Sequence, residues 1–86
     1  MKCVTFYRSA PGARDRIGEV YPRHVEWIGP FRERGDVLLI GPFADPAQGA
    51  MGVFVSREAA EAFVAGDPFV TEGLVADVEY RDWMVD

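Results

Sequence analysis

Asp36-Val37-Leu38-Leu39-Ile40-Gly41-Pro42-Phe43-Ala44, then Asp45-Pro46-Ala47-Gln48-Gly49, then Ala50-Met51-Gly52-Val53-Phe54-Val55, read as strand, turn and strand. The first strand holds four apolar residues in succession, Val37 to Ile40, so both of its faces are expected to be covered. This hairpin lies in the middle of the chain. What stands on either side of it decides the architecture.

Upstream, Ile17, Val20, Tyr21, His24, Trp27, Ile28 and Phe31 recur at spacings of three and four and share one helical face. Two prolines interrupt that pattern. Pro22 predicts a break, with Pro22 itself in the first turn of a second segment, and Pro30 predicts a bend near Trp27–Pro30. Gly35 is a sound terminator. Before the helix, residues 2–8 alternate and are rich in β-branched and aromatic side chains, as a strand would be, and Ser9-Ala10-Pro11-Gly12 is a turn.

Downstream, Ser56 is suited to cap a helix over Arg57–Ala65 that buries Ala59, Ala60, Phe63 and Val64. Gly66 ends it. Asp67-Pro68-Phe69 is a structured corner, because proline restricts the residue before it. Leu74–Trp83 then alternates, with Leu74, Ala76, Val78 and Tyr80 on one side and Asp77, Glu79 and Arg81 on the other.

The order is β-α-β-β-α-β within one domain, residues 1–86. Two right-handed crossovers of this kind give an α+β, ferredoxin-like fold, a four-stranded antiparallel sheet with two helices on one face. Two helices cover only one face of a sheet whose first two strands are read as apolar on both. The other face is expected to meet a ligand or a second copy, and stacking two sheets makes a dimeric α/β barrel.

Composition narrows the function. A chain of 86 residues with a single cysteine and a single histidine has no intrachain disulfide and no Cys/His zinc site. A domain this small usually needs a staple, which again favours a homodimer. The net charge of −5, without a basic stripe, argues against nucleic acid or an anionic membrane as partner. Arg8, Arg14 and Arg16 read as a solvated loop and helix start. The N-terminus turns polar too soon for a signal peptide, and no apolar run approaches a membrane span. A cytoplasmic location is expected, and the lone Cys3 in a strand fits a reducing compartment.

Two residues draw attention. His24 sits inside the apolar stripe, where a histidine is more often a satisfied core residue than a catalyst. Asp67 precedes a proline, where an aspartate is commonly a turn or cap residue. In this topology the two helices lie side by side, so the two side chains meet if the registers agree. A carboxylate bonded to one imidazole nitrogen would fix the tautomer and make the other nitrogen a better base. No Ser, Cys or Lys nucleophile accompanies the pair. Proton transfer, as in isomerisation or elimination, therefore suits it better than acyl transfer.

Pro22-Arg23-His24-Val25-Glu26-Trp27, Gly41-Pro42, Ser56-Arg57-Glu58-Ala59-Ala60-Glu61-Ala62-Phe63, Gly66-Asp67-Pro68-Phe69 and a last strand ending near Trp83 occur in this order. That combination resembles the YciI-like (YCII-related) family over most of the chain. The resemblance implies a dimeric ferredoxin-like fold related to muconolactone isomerase-like proteins. It also implies a His and Asp pair, here His24 and Asp67, in a pocket, and no cofactor. A few relatives act on small aromatic or chlorinated rings, including by dehydrochlorination. Pro30 and the bulky Trp27 depart from the family pattern and bear on pocket shape.

The leading expectation is a cofactor-independent acid–base enzyme for a small cyclic or aromatic substrate, with Tyr7, Trp27, Pro42 and Phe69 lining an apolar pocket. The alternatives are a non-catalytic dimeric binding module for a small molecule and a cofactor-less ferredoxin-like monooxygenase. The fold hosts all three.

Overall fold

The computed structural model describes residues 1–86. Strand β1 (Lys2–Ser9) has both neighbours filled. It pairs antiparallel with β3 (Ala50–Phe54) on one side and β4 (Val75–Trp83) on the other, and β2 (Val37–Pro42) completes the order β2-β3-β1-β4. Alternation sends Cys3, Thr5 and Tyr7 toward the helices and Val4 and Phe6 to the opposite face. The chain thus has the expected ferredoxin-like β-α-β-β-α-β arrangement.

Helix α1 (Ile17–Glu33) is continuous, so the break expected at Pro22 does not occur. The two prolines deprive the carbonyls of Gly18 and Glu26 of their donors. Both residues, and both prolines, lie on the exposed side, where a carbonyl without an intrahelical donor is accessible to water. Val20, His24, Ile28 and Phe31 form the buried stripe. Gly35, at φ +80°, turns the chain out of the helix while the Asp36 N–H donates to the Phe31 carbonyl at 2.8 Å.

Helix α2 (Arg57–Gly66) starts at Ser56, whose hydroxyl accepts from the Ala59 N–H at 3.2 Å. The corner expected at Asp67-Pro68-Phe69 is the start of a one-turn helix, α3 (Pro68–Thr71). Between helices and sheet, Phe63 packs on Phe54 and edge-on against Phe31, with Cys3, Ile28 and Ala60 around them. A smaller cluster of Ala13, Val20 and Leu74 closes the other end. Glu72 receives Arg16 and Arg23, which ties α1 to the segment before β4; Arg23 foremost holds the Glu72 carboxyl below its usual range.

Two register shifts depart from simple alternation. Val37 pairs with Phe54 but Leu39 with Val53, so Leu38 is bulged. Arg8 pairs with Asp77 but Ser9 with Val75, so Ala76 is the extra residue in β4. The expected face of Leu74, Ala76, Val78 and Tyr80 is therefore interrupted: Leu74 is buried and Ala76 exposed. On the side away from the helices, Leu39 remains 69% exposed in the single chain.

Candidate active site

Asp67 is placed by the end of α2. Its N–H closes the helix on the Phe63 carbonyl at 3.0 Å, and its backbone is then extended, as the following proline demands. The carboxylate points inward and is 0% exposed. Oδ1 accepts from the Phe69 N–H at 3.1 Å, the capping bond of α3. The same oxygen lies 2.8 Å from His24 Nδ1. Oδ2 accepts from the Tyr7 hydroxyl at 2.7 Å. One side chain therefore serves as helix cap and as the partner of two side chains from other elements.

Because a carboxylate only accepts, Nδ1 of His24 is the donor of its pair. In the neutral ring the proton is then on Nδ1, and Nε2 carries the lone pair. The ring is held in that orientation from the side as well. Phe69 stacks on it at 4.1 Å between centroids and 18° between planes, and Phe63 presents an edge at 6.4 Å. Burial first, then the Asp67 charge and hydrogen bond, push the Tyr7 phenol far above its ordinary value of 10.0. Tyr7 thus stays a neutral donor and keeps Oδ2 occupied.

His24, Tyr7, Phe69 and Pro42 all line one cavity of about 170 Å³ between the helix-facing side of the sheet, α1 and α3. Its wall is mostly apolar, with Ile17, Ile40 and Leu74 contributing. Every fully enclosed side-chain nitrogen or oxygen in the chain has a hydrogen-bond partner. Nε2 has none within the protein, so it opens onto this cavity.

Trp27 was expected in the pocket wall and lies outside it. Three residues beyond His24 on α1, it turns toward α2, where its indole N–H donates to the Phe63 carbonyl at 2.9 Å and its ring covers Gly66. Among the cavity residues that sequence reasoning missed are Thr5, Tyr21 and Gly52. Alternation from Tyr7 points to Thr5, and the apolar stripe already contained Tyr21. Gly52 carried no signal beyond being a glycine in a strand.

The site is thus a buried, carboxylate-oriented imidazole beside a mostly apolar cavity. The chain belongs to the YCII-related domain family, whose model matches residues 1–84. Among solved structures it is similar to the 5-chloro-2-hydroxyhydroquinone dehydrochlorinase (TftG) of Burkholderia phenoliruptrix, in complex with 2,5-dihydroxybenzoquinone. That match has a TM-score of 0.79 and 22% identity and covers 96% of this chain and 93% of the other. Protein SO0527 of Shewanella oneidensis matches at a TM-score of 0.55 and 18% identity over 93% and 84% of the two chains. Rv0793 of Mycobacterium tuberculosis matches at 0.54 and 12% over 99% and 95%. At these identities the likeness is one of fold. No curated protein matches the sequence. No helix is long and apolar enough to cross a membrane.

Proposed function

We propose that this chain is a cofactor-independent acid–base enzyme acting on a small, single-ring substrate, with His24 and Asp67 as its catalytic pair. The observation that carries the reading is the 2.8 Å contact of His24 Nδ1 with Asp67, which leaves Nε2 open to the cavity. At about 170 Å³ the cavity is close to the size that accepts benzene in an engineered core. The ligand bound to the dehydrochlorinase, 2,5-dihydroxybenzoquinone, is a single ring of that order of size and favours the reading.

In the proposed chemistry, Nε2 removes a proton from a ring carbon or hydroxyl next to a carbonyl. The imidazolium formed is stabilised by the Asp67 carboxylate, which Tyr7 and the Phe69 N–H keep in place. In an isomerisation the proton returns to a different ring atom. In an elimination the electron pair of the broken bond to hydrogen forms the new double bond, and a leaving group such as chloride departs with its own pair. Phe69 and Pro42 give the ring an apolar setting.

The second part of the reading is a homodimer in a reducing, cytoplasmic setting. Leu39, 69% exposed on the helix-free side of the sheet, favours a second copy on that face, and the buried free thiol of Cys3 suits a reducing compartment.

The test is turnover of chlorinated hydroxyquinols, followed by chloride release, in wild type, His24→Gln and Asp67→Asn, with circular dichroism to establish folding. Folded variants are expected to lose about 10²–10⁴-fold in kcat. Full activity in His24→Gln overturns the acid–base role. Binding of 2,5-dihydroxybenzoquinone without turnover of any ring substrate makes the protein a binding module, and oxygen consumption makes it a monooxygenase. Sedimentation at micromolar concentration decides the dimer.

A further inference from the structure

We propose that the Thr5 hydroxyl is a ligand-binding group in the cavity wall, and that it selects rings bearing a second oxygen besides the one that meets His24. The inference rests on the proposed reading of the cavity as a ring-binding site and adds to it what the ring must carry.

Thr5 is 3% exposed and lies on the helix-facing side of β1, between Cys3 and Tyr7, in the centre of the sheet. Its hydroxyl makes no hydrogen bond within the protein. No enclosed polar side-chain atom goes without a partner, so this oxygen opens onto the cavity that the residue lines. The other oxygens near it are committed. The Tyr7 hydroxyl donates to Asp67 and the Ser9 hydroxyl to the Pro46 carbonyl. Among the buried residues of the wall, His24 Nε2 and Thr5 Oγ1 are the polar side-chain atoms left for a ligand.

The residue opposite Thr5 on β3 keeps it open. Gly52 pairs with Thr5, and a Cβ there would lie 2.9 Å from Thr5 Oγ1 and 2.8 Å from the Phe54 ring. Glycine leaves both the hydroxyl and the space above it uncovered. Valine has the shape of threonine without the polar atom, so the fold alone has no use for the oxygen at a position this buried. A hydroxyl both donates and accepts, so it suits a ring hydroxyl, carbonyl or oxyanion. The helix layer supplies Nε2 and the sheet layer supplies Thr5 Oγ1, so the two groups grip a ring from opposite sides.

The experiment is calorimetric titration of wild type, Thr5→Val and Thr5→Ser with phenol and with the three dihydroxybenzenes. At least one dihydroxybenzene is expected to bind wild type about tenfold more tightly than phenol, one added hydrogen bond being worth about that factor. Thr5→Val is expected to lose this advantage while binding phenol as wild type does, and Thr5→Ser to keep it. If Thr5→Val retains the advantage, or if no dihydroxybenzene shows one, the proposal is overturned while the ring-binding reading stands. If wild type binds none of the four, both fall together. Should Thr5→Val fail to fold, the Thr5 methyl resonance of wild type decides: a shift with a dihydroxybenzene and not with phenol supports the proposal, and equal shifts overturn it.

Discussion

The Tyr7 hydroxyl donates to Asp67 Oδ2 at 2.7 Å, joining residues 60 positions apart in the chain. Asp67 has no access to solvent, so this donor is not replaceable by water. Tyr7→Phe leaves one buried carboxylate oxygen unmet while keeping the ring in the cavity wall. Its unfolding free energy in urea is expected to fall by about 1–3 kcal/mol. A change within experimental error would mean that Oδ2 finds another donor.

Burial of the same phenol, reinforced by the Asp67 charge and hydrogen bond, makes stability depend on alkaline pH. The folded-state value of the Tyr7 phenol is raised, burial being the main cause, above the 10.0 of an exposed tyrosine. The preference for the neutral phenol is fully present below pH about 10 and is lost as pH rises above it, because the unfolded chain releases the proton first. Wild type is therefore expected to lose about 1.4 kcal/mol per pH unit above 10 relative to Tyr7→Phe. Cys3 and Tyr80, also raised by burial, remain in both proteins and cancel. Parallel stability curves above pH 10 would contradict this.

Trp27 and Gly66 form a lock between α1 and α2. A Cβ on Gly66 would collide with the six-membered ring of the Trp27 indole, whose N–H is anchored to the Phe63 carbonyl. Gly66→Ala is expected to cost about 1–3 kcal/mol through overpacking. Trp27→Leu, destabilising by itself, is expected to absorb much of that cost, so the pair should be non-additive in a double-mutant cycle. Since Asp67 follows Gly66, the displaced helix end should also weaken the His24 contact, visible as lower turnover in Gly66→Ala.

Two glycines at positive φ separate conformation from crowding. Gly35 has φ +80° and open space where a Cβ would be, so Gly35→Ala is expected to cost about 1–2 kcal/mol, the left-handed penalty alone. Gly49 has φ +88°, and a Cβ there would collide with the Tyr7 carbonyl, a backbone atom that cannot swing aside. Gly49→Ala is expected to cost clearly more than Gly35→Ala and to disturb Tyr7. Equal thermal midpoints for the two variants would show that the β1–β3 contact yields.

Much of the fold was legible because its signals are local. The stripe on α1, the Ser56 cap, the alternation of β1 and the hairpin each depend on residues within a few positions of one another. The continuity of α1 was not, since the damage from Pro22 and Pro30 depends on whether the orphaned carbonyls of Gly18 and Glu26 face water. The bulges at Leu38 and Ala76 were hidden for a related reason: a register shift belongs to two strands, and neither strand alone shows it. Trp27 shared the stripe of His24, yet its direction was decided by the missing side chain of Gly66, 39 positions away.

His24 and Asp67 were recognisable as a conditional pair, each with an ordinary structural explanation of its own. The residue order and the hydrophobic periods by themselves determined the four strands, the two longer helices and their order, because backbone geometry imposes those periods locally. Only the tertiary structure decided that β1, α1 and the end of α2 converge on one carboxylate. A hydrogen bond needs its atoms placed to within a few tenths of an ångström. That placement is the sum of packing across the whole domain, which no local stretch contains.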